Sequence, residues 1–97
     1  MWTIERSSAF KRDYKRDYKR EAKGQHRATL NVDLMAVLAA LTNEKPLNIR
    51  YRDHDLGGNW VGYRECHIKP DLLLIYRKQG SSILRLARLG SHSKLFG

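Results

Sequence analysis

Residues 72 to 76 read LLLIY, five apolar side chains in a row. Successive strand side chains point to opposite faces, so a strand carrying this run has to be covered on both. The segments on either side, WVGYRECHIKP and SSILRLARL, are also strand-like, and the breaks between them are short: Lys69-Pro70 before the run and Gln79-Gly80-Ser81 after it. Short connections of this kind join antiparallel neighbours. The apolar strand is therefore predicted at the centre of an antiparallel sheet, and the sheet needs a second layer over it.

The N-terminal half supplies that layer. MWTIER alternates Trp2 and Ile4 with Thr3 and Glu5, a short strand, and Ser7 and Ser8 then offer N-caps for a helix. The helix contains KRDYKRDYKR, a repeated four-residue unit. Four residues advance about 400° at ~100° each, so Phe10, Tyr14 and Tyr18 stay within one apolar stripe facing the core. Asp13 stands three before Arg16, and Asp17 three before Arg20, a spacing suited to ion pairs on the exposed side. KGQHRATL follows as a polar link whose His26 reads as a surface residue. From Asn31 as N-cap, VDLMAVLAALTNE places Leu34, Leu38 and Leu41 on one face with Met35 beside them, a second amphipathic helix that ends before Pro46. KPLNIRYRDHDLGGNW is a connection with a Gly57-Gly58 turn. The predicted order is β-α-α-β-β-β: an α+β fold of two layers, one domain over residues 1–97.

Nineteen Lys and Arg against ten Asp and Glu give a net charge of +9. That excess favours a polyanionic partner. No apolar run approaches the ~18 residues of a transmembrane helix, and the N-terminus lacks the apolar core of a signal peptide, so the expected location is the cytoplasm. The single cysteine, Cys66, agrees with a reducing compartment.

Period-two alternation sorts the candidate site residues. Val61, Tyr63, Glu65 and His67 share one face, while Arg64, Cys66 and Ile68 share the other, which makes Cys66 a core residue. Arg88 follows Leu84 and Leu86 on their face and is expected where that face runs out of core, able to reach into a cleft. His54 in the loop, His67 at a strand end and Asp71 beyond the Lys69-Pro70 turn are expected to converge. His92 joins them if the last strand lies beside the apolar one. Each has a blander reading, since an exposed histidine is usually a surface residue and Asp71 suits a turn. No compact ligand pair such as HxxxH or CxxC is present, so neither a metal nor another cofactor is expected. At the C-terminus, RLGSHSKLFG sets His92 and Phe96 four apart where most chains fray.

DHDLGGNWVGYRECHIKPDLLLIY followed by LRLARLGSHSKLFG resembles the YafQ branch of the RelE-like bacterial toxins. The shared pattern is a D-H-x-L-x-G-x-W loop, an R-x-x-H-x-x-P-D hairpin and a C-terminal G-x-H-x-x-L-F, in order over residues 53–97. The duplicated KRDY unit lies outside it. The resemblance implies a RelE-like fold and a type II toxin that cuts mRNA in the ribosomal decoding site, held inactive by a cognate antitoxin with which it represses its own operon. Metal-free cleavage of that kind needs a base for the ribose 2′-OH, an acid for the departing 5′ oxygen and positive charge at the phosphorane. Histidine suits either proton transfer.

By resemblance, His54, His67, Asp71 and His92 are the catalytic set. His92 is the general acid, and the base is His54 or His67 with Asp71 orienting it or sharing the proton. Arg88 is expected to stabilise the phosphorane, and Glu65, beside His67, to tune that histidine at the phosphate. Phe96 is expected to stack on a nucleobase while Leu95 pins the tail to the sheet. The alternatives are a non-catalytic RNA-binding module and an operon co-repressor of the same fold. The gyrase-poisoning branch of the superfamily lacks this histidine set.

Overall fold

The computed structural model describes the backbone of residues 2–21 and 27–96 and the side chains of 2–16 and 31–96. Tyr18, the Asp17–Arg20 pair and His26 lie outside the described side chains. The chain runs β1 (Thr3–Arg6), α1 (Ser8–Glu21), α2 (Arg27–Thr42), β2 (His54–Asp55), β3 (Arg64–Lys69), β4 (Leu72–Gln79), β5 (Ile83–Gly90) and α3 (His92–Phe96). One sheet takes the order β1-β5-β4-β3-β2, with β1 parallel to β5 and every other pair antiparallel. The α+β class, the central place of β4 and the pairing of β4 with β5 agree with the sequence. The two-residue β2 and the short C-terminal α3 add to the predicted order.

Ser7 caps α1: its Oγ accepts from the Phe10 N–H at 2.9 Å and donates to the Ala87 carbonyl at 2.7 Å, tying the helix start to β5. Phe10, Leu34, Val37, Leu38 and Leu41 pack with Cys66, Ile68, Leu74, Tyr76, Leu84, Leu86 and Leu89 in the main core. Leu73 and Ile75, on the opposite face of β4, are buried as well. The apolar strand is thus covered on both sides.

Three expectations change. α2 starts at Arg27, so Asn31 lies inside the helix, where its Oδ1 accepts from the Tyr14 hydroxyl. Met35 is exposed, and Val37 takes the core place beside the leucines. Val61 to Tyr63 form a turn, with Trp60 in the short 3-10 helix before it, so the third strand starts only at Arg64.

Candidate active site

The site is built on the sheet face opposite the core face that packs against Phe10 of α1 and the leucines of α2. Registered partners share a face, and one row runs His54 opposite Glu65, Glu65 opposite Ile75, and Ile75 opposite Arg88. The next row runs His67, Leu73, Gly90. Neighbouring strands stand about 4.8 Å apart, so Gly90 lies roughly 10 Å from His67, with α3 beginning two residues on.

Arg88 reaches this face because β5 carries a bulge. Tyr76 pairs with Leu86 and Ile75 with Arg88, leaving Ala87 as the extra residue. The core residues of β5 are accordingly Leu84, Leu86 and Leu89, spaced by two and then by three. The expectation that Arg88 shares the face of Leu84 and Leu86 is therefore overturned. Simple alternation cannot foresee one inserted residue.

Glu65 is nearly buried, and its Oε2 lies 3.2 Å from His54 Nε2. His54 Nδ1 sits 2.7 Å from the Arg52 carbonyl oxygen. The carboxylate expected beside His67 on its own strand is instead engaged across the strand pair, because β2 brings His54 directly opposite it. His67 lies diagonally from His54 across that pair, a separation of roughly 7–8 Å. Its Nδ1 is 3.4 Å from the Pro70 carbonyl oxygen, a weak contact. Asp71 is exposed at the turn, with no hydrogen bond or ion pair to a histidine among the described residues.

α3 folds back over the end of β5. Ser91 begins it, its carbonyl accepting from Lys94 N and Leu95 N at 3.1 Å each. A β-carbon at Gly90 would stand 3.3 Å from Leu95 Cδ2 and 3.1 Å from Arg16 Nη2, so glycine permits the close seat of Leu95. His92 and Phe96 then meet on one side of the helix, ring centroids 5.1 Å apart. Residues His92–Phe96 are helical, and both side chains are exposed.

Two supports went unseen in the sequence. Asp13, expected on the exposed side of α1, is 3% exposed. It pairs with Arg16 at 3.3 Å and accepts from the Leu89 N–H at 3.0 Å, Arg88 Nε at 2.6 Å and Arg88 Nη2 at 3.3 Å. Arg16 Nη2 donates to the Leu89 carbonyl at 3.3 Å. Side chains of α1 thus stand in for a strand along the edge of β5 that β1 leaves open. The hydrogen bond to Asp13 raises the Arg88 pKa further above its ordinary value. Gripped through Nε and Nη2, the guanidinium keeps its Nη1 edge for another acceptor.

The second support joins two motifs. Asp53 accepts from Arg64 Nη2 at 2.7 Å and Nε at 3.2 Å, and from the Tyr76 hydroxyl; Arg64 also pairs with Asp55. The bond to Asp53 pushes the Arg64 pKa up, while burial, reinforced by the same carboxylate, pushes the Tyr76 hydroxyl up. This network clamps the loop that carries His54 onto β3 and β4. Cys66 is buried in the core, as the alternation predicts, and burial pushes its thiol well above the ordinary range.

Comparison with known proteins is consistent with this geometry. A family model described as a bacterial toxin of type II toxin-antitoxin system, YafQ, matches residues 3–97. The chain is 47% identical over 64 residues to the mRNA interferase toxin YafQ of Escherichia coli strain K12, an alignment spanning 66% of each protein. It is similar to a chain of the E. coli DinJ-YafQ complex, at TM-score 0.78 and 38% identity with all of both chains covered. A metal-bound toxin from Helicobacter pylori gives TM-score 0.82 and 42% identity, covering 99% of this chain and 100% of that one. With nearly its whole length matched by the family model, the chain belongs to the YafQ family of bacterial toxins of type II toxin-antitoxin systems.

Proposed function

We propose that this chain, as a single domain over residues 1–97, is an endoribonuclease of the mRNA interferase kind, cutting message in the ribosomal A site and so stopping translation in the cytoplasm. One observation carries the reading: His54, Glu65, His67 and Arg88 share a single sheet face, with His92 and Phe96 folded back at its edge. The similarity to a relative named as an mRNA interferase toxin supports it.

His54 has an acceptor at each ring nitrogen, the Arg52 carbonyl and the Glu65 carboxylate. Both ring nitrogens are thus occupied, and neither is open to the ribose 2′-OH. We therefore assign the base to His67. With Nδ1–H directed at the Pro70 carbonyl, Nε2 takes the proton of the ribose 2′-OH. The 2′ oxygen bonds to phosphorus, and the bond from phosphorus to the 5′ oxygen breaks. His92 gives its proton to that 5′ oxygen, and the products are a 2′,3′-cyclic phosphate and a 5′-OH. The free edge of Arg88 faces the crowded phosphorane, where positive charge lowers the barrier, and Glu65 holds His54 in place beside it. Once RNA is bound, Asp71, at the turn beside His67, takes the Nδ1–H over from the Pro70 carbonyl and orients the ring, and Phe96 stacks on a base. No step uses a metal.

The partners are the ribosome with its message and a cognate antitoxin, by analogy with the E. coli complex with DinJ. Bound to that antitoxin, the chain acts as co-repressor of its operon. The test is to add purified protein to ribosomes programmed with a defined message and map the new 5′ ends. Cuts that require the ribosome and fall in register with the reading frame are expected. A folded protein that makes no cuts across several codons refutes the reading.

A further inference from the structure

Next to His67, and outside the row that faces the phosphorane, lies a cleft of about 540 Å³ where the segment before β2 meets the end of β3. Arg50, Arg52 and Lys69 line it with Asp33, His67 and Tyr51. Lys69 Nζ is held 3.0 Å from Asp33 Oδ2, which fixes the ammonium and offsets one charge, leaving two positive charges in excess. Arg50 Nη2 donates to the Tyr51 hydroxyl at 2.7 Å, so it too is oriented.

Arg52 links this cleft to the catalytic row. Its backbone is left-handed, φ 49° and ψ 42°, a conformation that side chains other than glycine and asparagine rarely adopt. Its N–H bonds the Ile49 carbonyl at 3.0 Å, and its own carbonyl accepts from His54 Nδ1 at 2.7 Å. The turn that places the Arg52 side chain on the cleft is thus the turn that holds His54, and His67 forms part of the cleft wall. A ligand that reaches from His54 and His67 into the cleft meets this excess of positive charge, which favours an anionic strand.

We propose that this cleft is a second phosphate subsite, which holds the phosphodiester next to the scissile one and fixes where along the strand the cut falls. The inference rests on the proposed RNA-cleaving reading. Arg50 and Arg52 are binding residues here, and their contribution is to affinity and register, with the chemical step left to the histidines. A single-stranded backbone contact contributes about 0.7 to the logarithmic salt slope of binding. Two such contacts give a slope of about 1.4, so a fourfold rise in salt weakens binding by roughly sevenfold more than it does in their absence.

The probe is a short fluorescent 2′-O-methyl oligoribonucleotide, which has no attacking hydroxyl, read by anisotropy at about 50 and 200 mM salt. Arg50→Gln with Arg52→Asn is compared with Lys45→Gln with Lys78→Gln, an equal loss of charge outside the cleft. Asparagine tolerates the left-handed backbone at 52, and a thermal melt checks both folds. The expected result is weaker binding for the cleft variant alone, with the wild-type advantage shrinking about sevenfold between the two salts. On ribosome-bound message, the same variant should raise KM and blur the cut position with kcat little changed. Equal loss in both variants, an unchanged salt slope, or no binding by the wild type overturns the proposal. Because the probe cannot be cut, binding and cleavage fail separately: wild-type binding without any ribosomal cuts defeats the catalytic reading instead.

Discussion

Replacing Asp13 by alanine removes the acceptor for Arg88 Nε and Nη2, Arg16 Nη1 and the Leu89 N–H in one step. The Leu89 N–H is buried and has no other partner along that edge among the described residues, so leaving it unmet costs about 1–3 kcal/mol. A fully buried charge pair broken on one side costs about 3–5 kcal/mol, but the Arg88 side chain is 29% exposed and water reaches it, which reduces that share to about 1 kcal/mol. Arg16, more exposed still, adds at most about 0.5 kcal/mol. The sum is about 3 kcal/mol. For a domain of this size each kcal/mol moves the melting temperature by about 4–8 °C, so the alanine variant should melt roughly 12–24 °C below wild type. Asp13→Asn keeps an oxygen for Leu89 and should lose about half as much. Circular dichroism melts of the three proteins decide it. An alanine variant within about 4 °C of wild type, or an asparagine variant no better than alanine, shows that the β5 edge does not depend on this carboxylate.

His67→Ala should lower the single-turnover cleavage rate by about 10²–10⁴ with the fold intact, and His54→Ala by less; the reverse order would move the base to His54. Phe96→Ala should weaken message engagement by the roughly 1–3 kcal/mol of a stacked base, read as a change in KM with little loss of thermal stability. Protein stripped with EDTA and exchanged into chelator-free buffer before it meets Mg²⁺-stabilised ribosomes should cleave undiminished, and loss of activity that Zn²⁺ restores would contradict the metal-free mechanism. The raised Cys66 thiol should resist alkylation at pH 8 until the protein unfolds, followed by mass spectrometry along a denaturant series.

The sequence revealed the elements more clearly than their junctions. LLLIY forced a central strand, the Leu34, Leu38 and Leu41 spacing forced a packing helix, and both stand because apolar periodicity reports burial directly. Cys66 and His67 fell on the predicted faces for the same reason. Arg88 did not, since a bulge at Ala87 inverts every later residue and leaves no mark in composition. Glu65 and His54 pair across a strand only two residues long, too short to show any alternation. Asp13 looked like an ordinary i, i+3 partner of Arg16, and that pair does form; its burial depends on where β1 stops along β5, a property of the assembled sheet. The C-terminal motif was legible as residues, while the role of Gly90 in seating Leu95 needed coordinates.

The assignment of His92 as the acid that protonates the 5′ oxygen is tested most directly with a chemically altered message. Sulfur replaces the bridging 5′ oxygen at the mapped cut, a leaving group that departs without a proton. On ordinary message, His92→Ala should lose about 10²–10⁴ of the cleavage rate. On the sulfur-bridged message it should cut at close to the wild-type rate. Equal loss on both messages, or full activity of the variant on the ordinary one, contradicts an acid at the tip of the folded tail.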